Sequence, residues 1–302
     1  MAQTLAKYCW PRHLVLMTGT LLTLGHGYSA RALTRLLRPA GWQIIGTTRD
    51  PEKLEPLRAT GISPILWDAT SVGQALESAT HLLVSTAPDK EGDPALRLIG
   101  PDIARRAATL QWAGYLSTTA VYGDHQGGWV DEDTDLNPTS RRGRARVQAE
   151  QDWADIEGLP LHIFRLAGIY GPGRGPFSKI RNGTARRIIK PNQVFSRINV
   201  EDIARILKKS MEHPQPGAVY NLCDDDPAPP QDVIACAADL LDMPVPPEVP
   251  FEEADLSPMA RSFYGESKRV SNARVKEQLG VDLLFPDYRS GLAAILAAEK
   301  EA

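Results

Sequence analysis

Hydrophobic and polar positions alternate between two periods along this 302-residue chain, and that alternation predicts most of its elements. A short apolar run, Leu21, Leu22 and Leu24, closes on Gly25-His26-Gly27-Tyr28-Ser29-Ala30. Ala32, Leu33, Leu36 and Leu37 follow at helical spacing, and a second apolar run covers Trp42–Gly46. That order predicts strand, glycine turn, helix and strand. Ile62–Leu66 reads as a third strand ending at Trp67-Asp68, residues 72–78 as a short helix, and His81–Ser85 as a buried strand running into Thr86-Ala87-Pro88. Residues 96–110 predict a helix and Trp112–Ser117 a strand. Residues 141–156 predict a helix capped by Thr139 or Ser140, and Leu159–Arg165 a strand. Such alternation predicts an α/β fold, a Rossmann-like doubly wound parallel sheet.

Beyond residue 213 prolines cluster at Pro214, Pro216, Pro227, Pro229, Pro230, Pro244, Pro246, Pro247 and Pro250, around one amphipathic helix at residues 231–241. The regular winding is expected to stop there. Three segments follow: a poorly ordered extension over 1–16, a nucleotide-binding core over 17–213, and a small C-terminal substrate lobe over 214–302. Residues 172–193 are candidates to join that lobe.

With 42% hydrophobic and 24% charged residues the chain is globular, and a formal net charge of −3 gives neither a nucleic-acid surface nor a membrane-binding one. Lys7, Arg12 and the apolar residues after them imitate a secretory leader. Cleavage near Ala30 would remove the first strand and the glycine loop, so a cytoplasmic protein is expected, with Met17 as an alternative natural start. Cys9, Cys223 and Cys236 form neither a disulfide framework nor a metal motif. No metal site is expected, and Asp224-Asp225-Asp226, followed by Pro227, reads as a solvated turn.

The glycine loop carries the first chemistry. Gly25 permits a tight turn out of the strand, Gly27 admits phosphates without a Cβ in the way, and Ala30 keeps the helix close to the sheet. Backbone N–H groups from Gly25 to Ala30, with His26, Tyr28 and Ser29 between, form a candidate pyrophosphate site. An acid usually stands about 20 residues further on where the ribose 2′-hydroxyl is bound. Thr47-Thr48-Arg49 occupies that place and suits a 2′-phosphate, so NADP is favoured over NAD. Asp50 follows at once; it is either a competing ribose ligand or a cap for the next turn.

Several further strings resemble the extended short-chain dehydrogenase/reductases, which include the NAD(P)-dependent nucleotide-sugar epimerases and dehydratases. They are Ser117–Gly123, Phe164–Gly173, Phe195–Ala204, Val219–Leu222 and Lys268–Asn272, and with the glycine loop they span about residues 20–292. The spacing Gly-x-Gly-x-x-Ala differs from the usual Gly-x-x-Gly-x-x-Gly, which marks an atypical subgroup. The resemblance implies an NAD(P)-dependent oxidoreductase or epimerase acting on a sugar-like, hydroxylated or carbonyl substrate. It places Thr118 at the hydroxyl that polarises the substrate oxygen, Asp68 at the adenine (the alternative for that acid being a cap for the helix after it), and Thr86, Ala87 and Pro88 beside the nicotinamide ribose. Its Tyr-x-x-x-Lys pair falls on Arg142 and Arg146. Guanidinium keeps its proton, so Arg142 cannot cycle one as a tyrosine does, while Arg146 can replace the lysine. Tyr122 is the first substitute proton carrier, with Asp124, His125, Tyr170 and Tyr264 behind it. Arg142 is otherwise a candidate clamp for a carboxylate or phosphate, or, with Arg146 and Glu150, part of an ordinary charged helix face. A homodimer on the helices flanking the fifth strand fits the resemblance. The rival reading is a catalytically silent NADP(H)-binding protein, redox-responsive or a scaffold.

Overall fold

The computed structural model describes residues 18–301. The expectations for residues 1–16, Met17 and Cys9 lie outside them. Seven parallel strands form one sheet: β1 (Thr20–Leu24), β2 (Gln43–Thr48), β3 (Ser63–Leu66), β4 (His81–Val84), β5 (Trp112–Thr118), β6 (Leu161–Leu166) and β7 (Val219–Leu222). Their spatial order is β7-β6-β5-β4-β1-β2-β3, so the winding reverses between β1 and β4. The carboxyl ends of those two strands mark the crevice where such sheets bind ligands.

Among the described residues eleven α-helices accompany the sheet: α1 (Tyr28–Leu37), α2 (Leu54–Ala59), α3 (Ala69–Ser78), α4 (Pro94–Arg106), α5 (Arg141–Ala154), α6 (Phe177–Arg181), α7 (Val200–Glu212), α8 (Pro230–Leu240), α9 (Pro258–Phe263), α10 (Ala273–Leu279) and α11 (Tyr288–Glu301). Period-two alternation sorts side chains to the two faces of the sheet. Leu21, Trp112, Leu116 and Phe164 meet α1, α7 and α10 on one face. Leu22, Leu24, Ala113, Tyr115 and Ile163 meet α3, α4 and α5 on the other. Both faces are covered, which is why the strands read as continuous apolar runs. No described helix is long and apolar enough to cross a membrane.

The expected elements shift by a few residues at most. α4 starts earlier than expected because Asp93 accepts from the N–H groups of Ala95 and Leu96. It kinks at Ile99 ahead of Pro101, which cannot donate to the helix. Ser140, not Thr139, caps α5 by accepting from Gly143 N at 3.0 Å.

The division at 213–214 requires correction. β7 pairs with β6 along Val219–Leu222, and Val275, Leu279 and Val281 join the core below it. The C-terminal third therefore finishes the sheet as well as building the lobe. The lobe has its own apolar cluster, in which Phe177 and Ile180 of α6 meet Val233 of α8 and Leu292 of α11. A short pairing of Arg187–Ile189 with Glu248–Pro250 joins 172–193 to this unit.

Asp224 is not part of a solvated turn. It is 1% exposed with neither carboxylate oxygen hydrogen-bonded, while Asp225 pairs with Lys276 and Asp226 with Arg289.

Candidate active site

The glycine loop leaves β1 through Gly25 at φ 89, whose N–H donates to Thr47 Oγ1 at 2.7 Å. A Cβ there would lie 3.1 Å from both Ser85 Oγ and Thr86 Cγ2. Gly27 differs: nothing stands within 4 Å of where its Cβ would be. No side chain caps α1, whose N-terminus borders the cleft at Gly27 and Tyr28; uncapped helix starts of this kind favour anions in general. Ala30 is fully buried in the core, and Ser29 and Tyr28 line the cleft beside Gly27.

His26 turns the other way. Its ring packs on Gly46 with Nδ1 2.9 Å from Thr23 Oγ1, and burial, then Arg31, lowers its pKa to about 4. The neutral ring fills the space between β1 and β2 and does not line the cleft.

At the end of β2, Thr48 Oγ1 is spent on the backbone of Asp50. The Asp50 carboxylate accepts from Glu52 N at 3.1 Å and caps the following turn. Arg49 lies over the Trp67 ring, 5.7 Å from its centroid. Asp68, expected at the adenine, accepts from Ser71 N at 2.8 Å as the cap of α3, and this backbone bond holds its carboxyl below the usual range.

One cleft of about 790 Å³ runs from Gly27 past Ala87 and Pro88 to Thr118, α5 and the loop after β6. Thr118 sits at its floor, its hydroxyl accepting from Ala120 N at 3.3 Å. Arg142 and Arg146 both face this cleft. Arg146 donates to Leu116 O at 2.7 Å and Tyr115 Oη at 3.0 Å, which fixes it against β5. Thr86 lies next to the lining residues but buries its hydroxyl without a partner.

Two expectations for this region are corrected. Tyr122 is fully buried away from the cleft, its hydroxyl donating to Asn221 Oδ1 at 2.7 Å and accepting from Arg165 at 3.0 Å. Burial pushes its pKa up to about 12, so it is a core residue and not a proton carrier. Glu150 does not pair with Arg146 on the surface. It is buried against Arg165 at 2.8 Å and accepts from the Ser117 hydroxyl.

The remaining substitutes are also occupied. Asp124 accepts from Ser267 N at 2.7 Å, and His125 lies 3.2 Å from Tyr122 O. Tyr264 packs between Phe195 and Phe251. Tyr170 does line the cleft, but burial raises its pKa further from neutrality.

Three cations reach the cleft that the sequence did not single out: Arg174, Arg197 and Lys268. Each stands in or beside a string noted for its family likeness. The available signal was charge inside otherwise apolar or glycine-rich stretches. Lys268 Nζ is held by Gly123 O and Glu266 Oε2, both at 2.6 Å. Arg197 donates to Phe195 O and Ala228 O, and burial lowers its pKa.

No protein-family profile matches the sequence. Among curated proteins, Protein YeeZ of Escherichia coli (strain K12) is 27% identical over 283 residues, 87% of this chain and 95% of that protein. A functionally unknown conserved protein from Silicibacter pomeroyi DSS is 63% identical, with a TM-score of 0.90 over 93% of this chain and 99% of that one. MoeE5 in complex with UDP-glucose and NAD shares the fold at 20% identity and a TM-score of 0.72, covering 94% and 99% of the two chains. Human epimerase family protein SDR39U1 with NADPH does so at 18% identity and 0.72, covering 93% and 99%. By its sheet order and these likenesses, the chain has the Rossmann-like fold of the NAD-dependent epimerases and dehydratases, and its strings resemble those of the atypical extended-type short-chain dehydrogenase/reductases.

Proposed function

We propose that the protein is an NADP(H)-dependent oxidoreductase or epimerase acting on a carbonyl or hydroxyl group of a small substrate. The observation carrying this reading is the single cleft that joins the glycine loop to Thr118 and α5. The free N–H groups at the start of α1 would hold the pyrophosphate, with Gly27 leaving room for it. Ala87 and Pro88 would flank the nicotinamide ribose, and Arg146, pinned to β5, would hold that ribose as the family's lysine does. Thr118 would hydrogen-bond the substrate oxygen. The bound nicotinamide supplies or accepts hydride, and the chain supplies position.

NADP is preferred because Asp50 is turned into a cap while Arg49, propped on Trp67, makes no ion pair among the described residues. Related folds carry NAD in MoeE5 and NADPH in SDR39U1. Titration with NADPH and NADH tests this directly. NADPH should bind tighter, and Arg49→Ala should weaken NADPH alone by about tenfold, or about 1.4 kcal/mol. Binding of neither nucleotide removes the reading.

Arginine at the tyrosine position favours a second reading, a catalytically silent NADP(H)-binding protein. Isotope exchange at nicotinamide C4 across hydroxyl and carbonyl substrates separates the two: exchange requires the enzyme.

A further inference from the structure

The cleft holds positive charge that the protein does not itself neutralise. Arg142, Arg146, Arg174, Arg197 and Lys268 line it against a single acid, Glu266. Glu266 is taken by Lys268 at 2.6 Å. None of the four arginines has a carboxylate within 4.0 Å among the described residues. Three have evident work inside the protein. Arg146 is tied to β5, Arg197 to the carbonyls of Phe195 and Ala228, and Arg174 lies 5.7 Å from the Tyr28 ring centroid beside the glycine loop. Arg142 has no hydrogen-bond partner among the described residues.

Its position gives that free guanidinium a meaning. Gly143 packs so closely that a Cβ there would lie 2.7 Å from Ala120 O, so the first turn of α5 rests on the turn that follows Thr118. Arg142 therefore stands beside Thr118, about 6 Å along the helix axis from Arg146. The first turn of a helix already carries positive charge, so arginines there repel it unless an anion joins them. Arg141, Arg142 and Arg144 nevertheless crowd it with no acid among them. Arg142 is itself exposed, but it opens on the concave wall of the cleft, and the cations gathered there add to the attraction it exerts on an entering anion.

We infer that the cleft selects a substrate with a carboxylate next to its reacting carbonyl or hydroxyl, and that Arg142 binds this carboxylate through its planar pair of donors. The inference rests on the reading of Thr118 as the contact for the reacting oxygen. Reduction of such a 2-oxo acid takes one hydride from NADPH and one proton from water at the cleft mouth, giving the 2-hydroxy acid and NADP. Arg142 stays charged throughout and acts by holding the acid in register.

The test uses oxalate, a rigid mimic of a 2-oxo acid, titrated calorimetrically into the whole protein with and without NADPH. Inorganic phosphate and neutral oxamide serve as comparisons. Oxalate should bind more tightly than either, Arg142→Gln should weaken it by about tenfold, and Arg142→Lys should recover part of the loss. Thermal unfolding of each variant shows that it is folded. Oxalate affinity unchanged in Arg142→Gln, or absent from the wild type, overturns the inference. Equal binding of oxamide overturns it too, and equal or tighter binding of phosphate replaces a carboxylate site by a phosphate one. NADPH binding is read in the same samples, so loss of nucleotide binding, which defeats the functional reading, is distinguishable from loss of oxalate binding.

Discussion

At the scale of single residues, two glycines of one loop do different things. Gly25 holds a left-handed backbone against Ser85 and Thr86, whereas Gly27 faces open space. Gly25→Ala should therefore destabilise the fold by about 1–2 kcal/mol in urea unfolding. Gly27→Ala should leave stability within about 0.5 kcal/mol while weakening nucleotide binding. Equal stability losses would show that Gly27 is architectural. Asp224 gives a pH signature. Burial, reinforced by Asp226 and Asp225 and opposed by Arg197, raises its pKa from 3.8 to about 8. The folded state keeps a proton that the unfolded state releases near pH 4, so this group makes stability fall as pH rises from about 4 to about 8. Asp224→Asn should flatten that decline, raising Tm at pH 8.5 relative to wild type more than at pH 5. Parallel Tm-against-pH curves would refute the assignment. The open space at Gly27 was legible because a local string predicts it. Tyr122 was misread because its partners, Arg165 and Asn221, are 43 and 99 residues away.

At the scale of elements, α5 shows what periodicity conveys and what it leaves open. Arg142, Arg146 and Glu150 share a helix face by spacing, and the first two do line the cleft. Glu150 instead faces inward because Arg165, inside the fully buried β6, requires a counterion. A charge in the middle of an apolar strand was the available signal, but spacing alone does not identify its partner. The pair joins α5 to β6, and Ser117 ties it to β5. Glu150→Gln leaves the Arg165 charge buried and should cost about 3–5 kcal/mol in urea unfolding. Replacing both residues with apolar ones should recover much of that. A single-variant loss below about 1 kcal/mol would mean that water reaches Arg165. The caps show the same ambiguity: Asp68 and Asp50 lie where an NAD enzyme keeps nucleotide-binding acids, yet both serve helical turns.

At the scale of the whole molecule, alternating strands and helices made the sheet legible through β6, and proline clustering made the lobe legible. The return of the chain to the sheet was not, because β7 is only four residues long and lies among the prolines. Tyr28, at the start of α1, donates to Pro172 O at 3.0 Å and so links the glycine loop to the loop that leads into the lobe. The late arrival of β7 also bears on synthesis. A chain made from its N-terminus exposes the edge of β6, with its row of unpaired N–H and C=O groups, until residues 219–222 emerge. The apolar face beneath waits longer, for Val275 and Leu279 of α10. The N-terminal half, although first in sequence, is thus among the last parts to be sealed, and a nascent chain meets its aggregation hazard there.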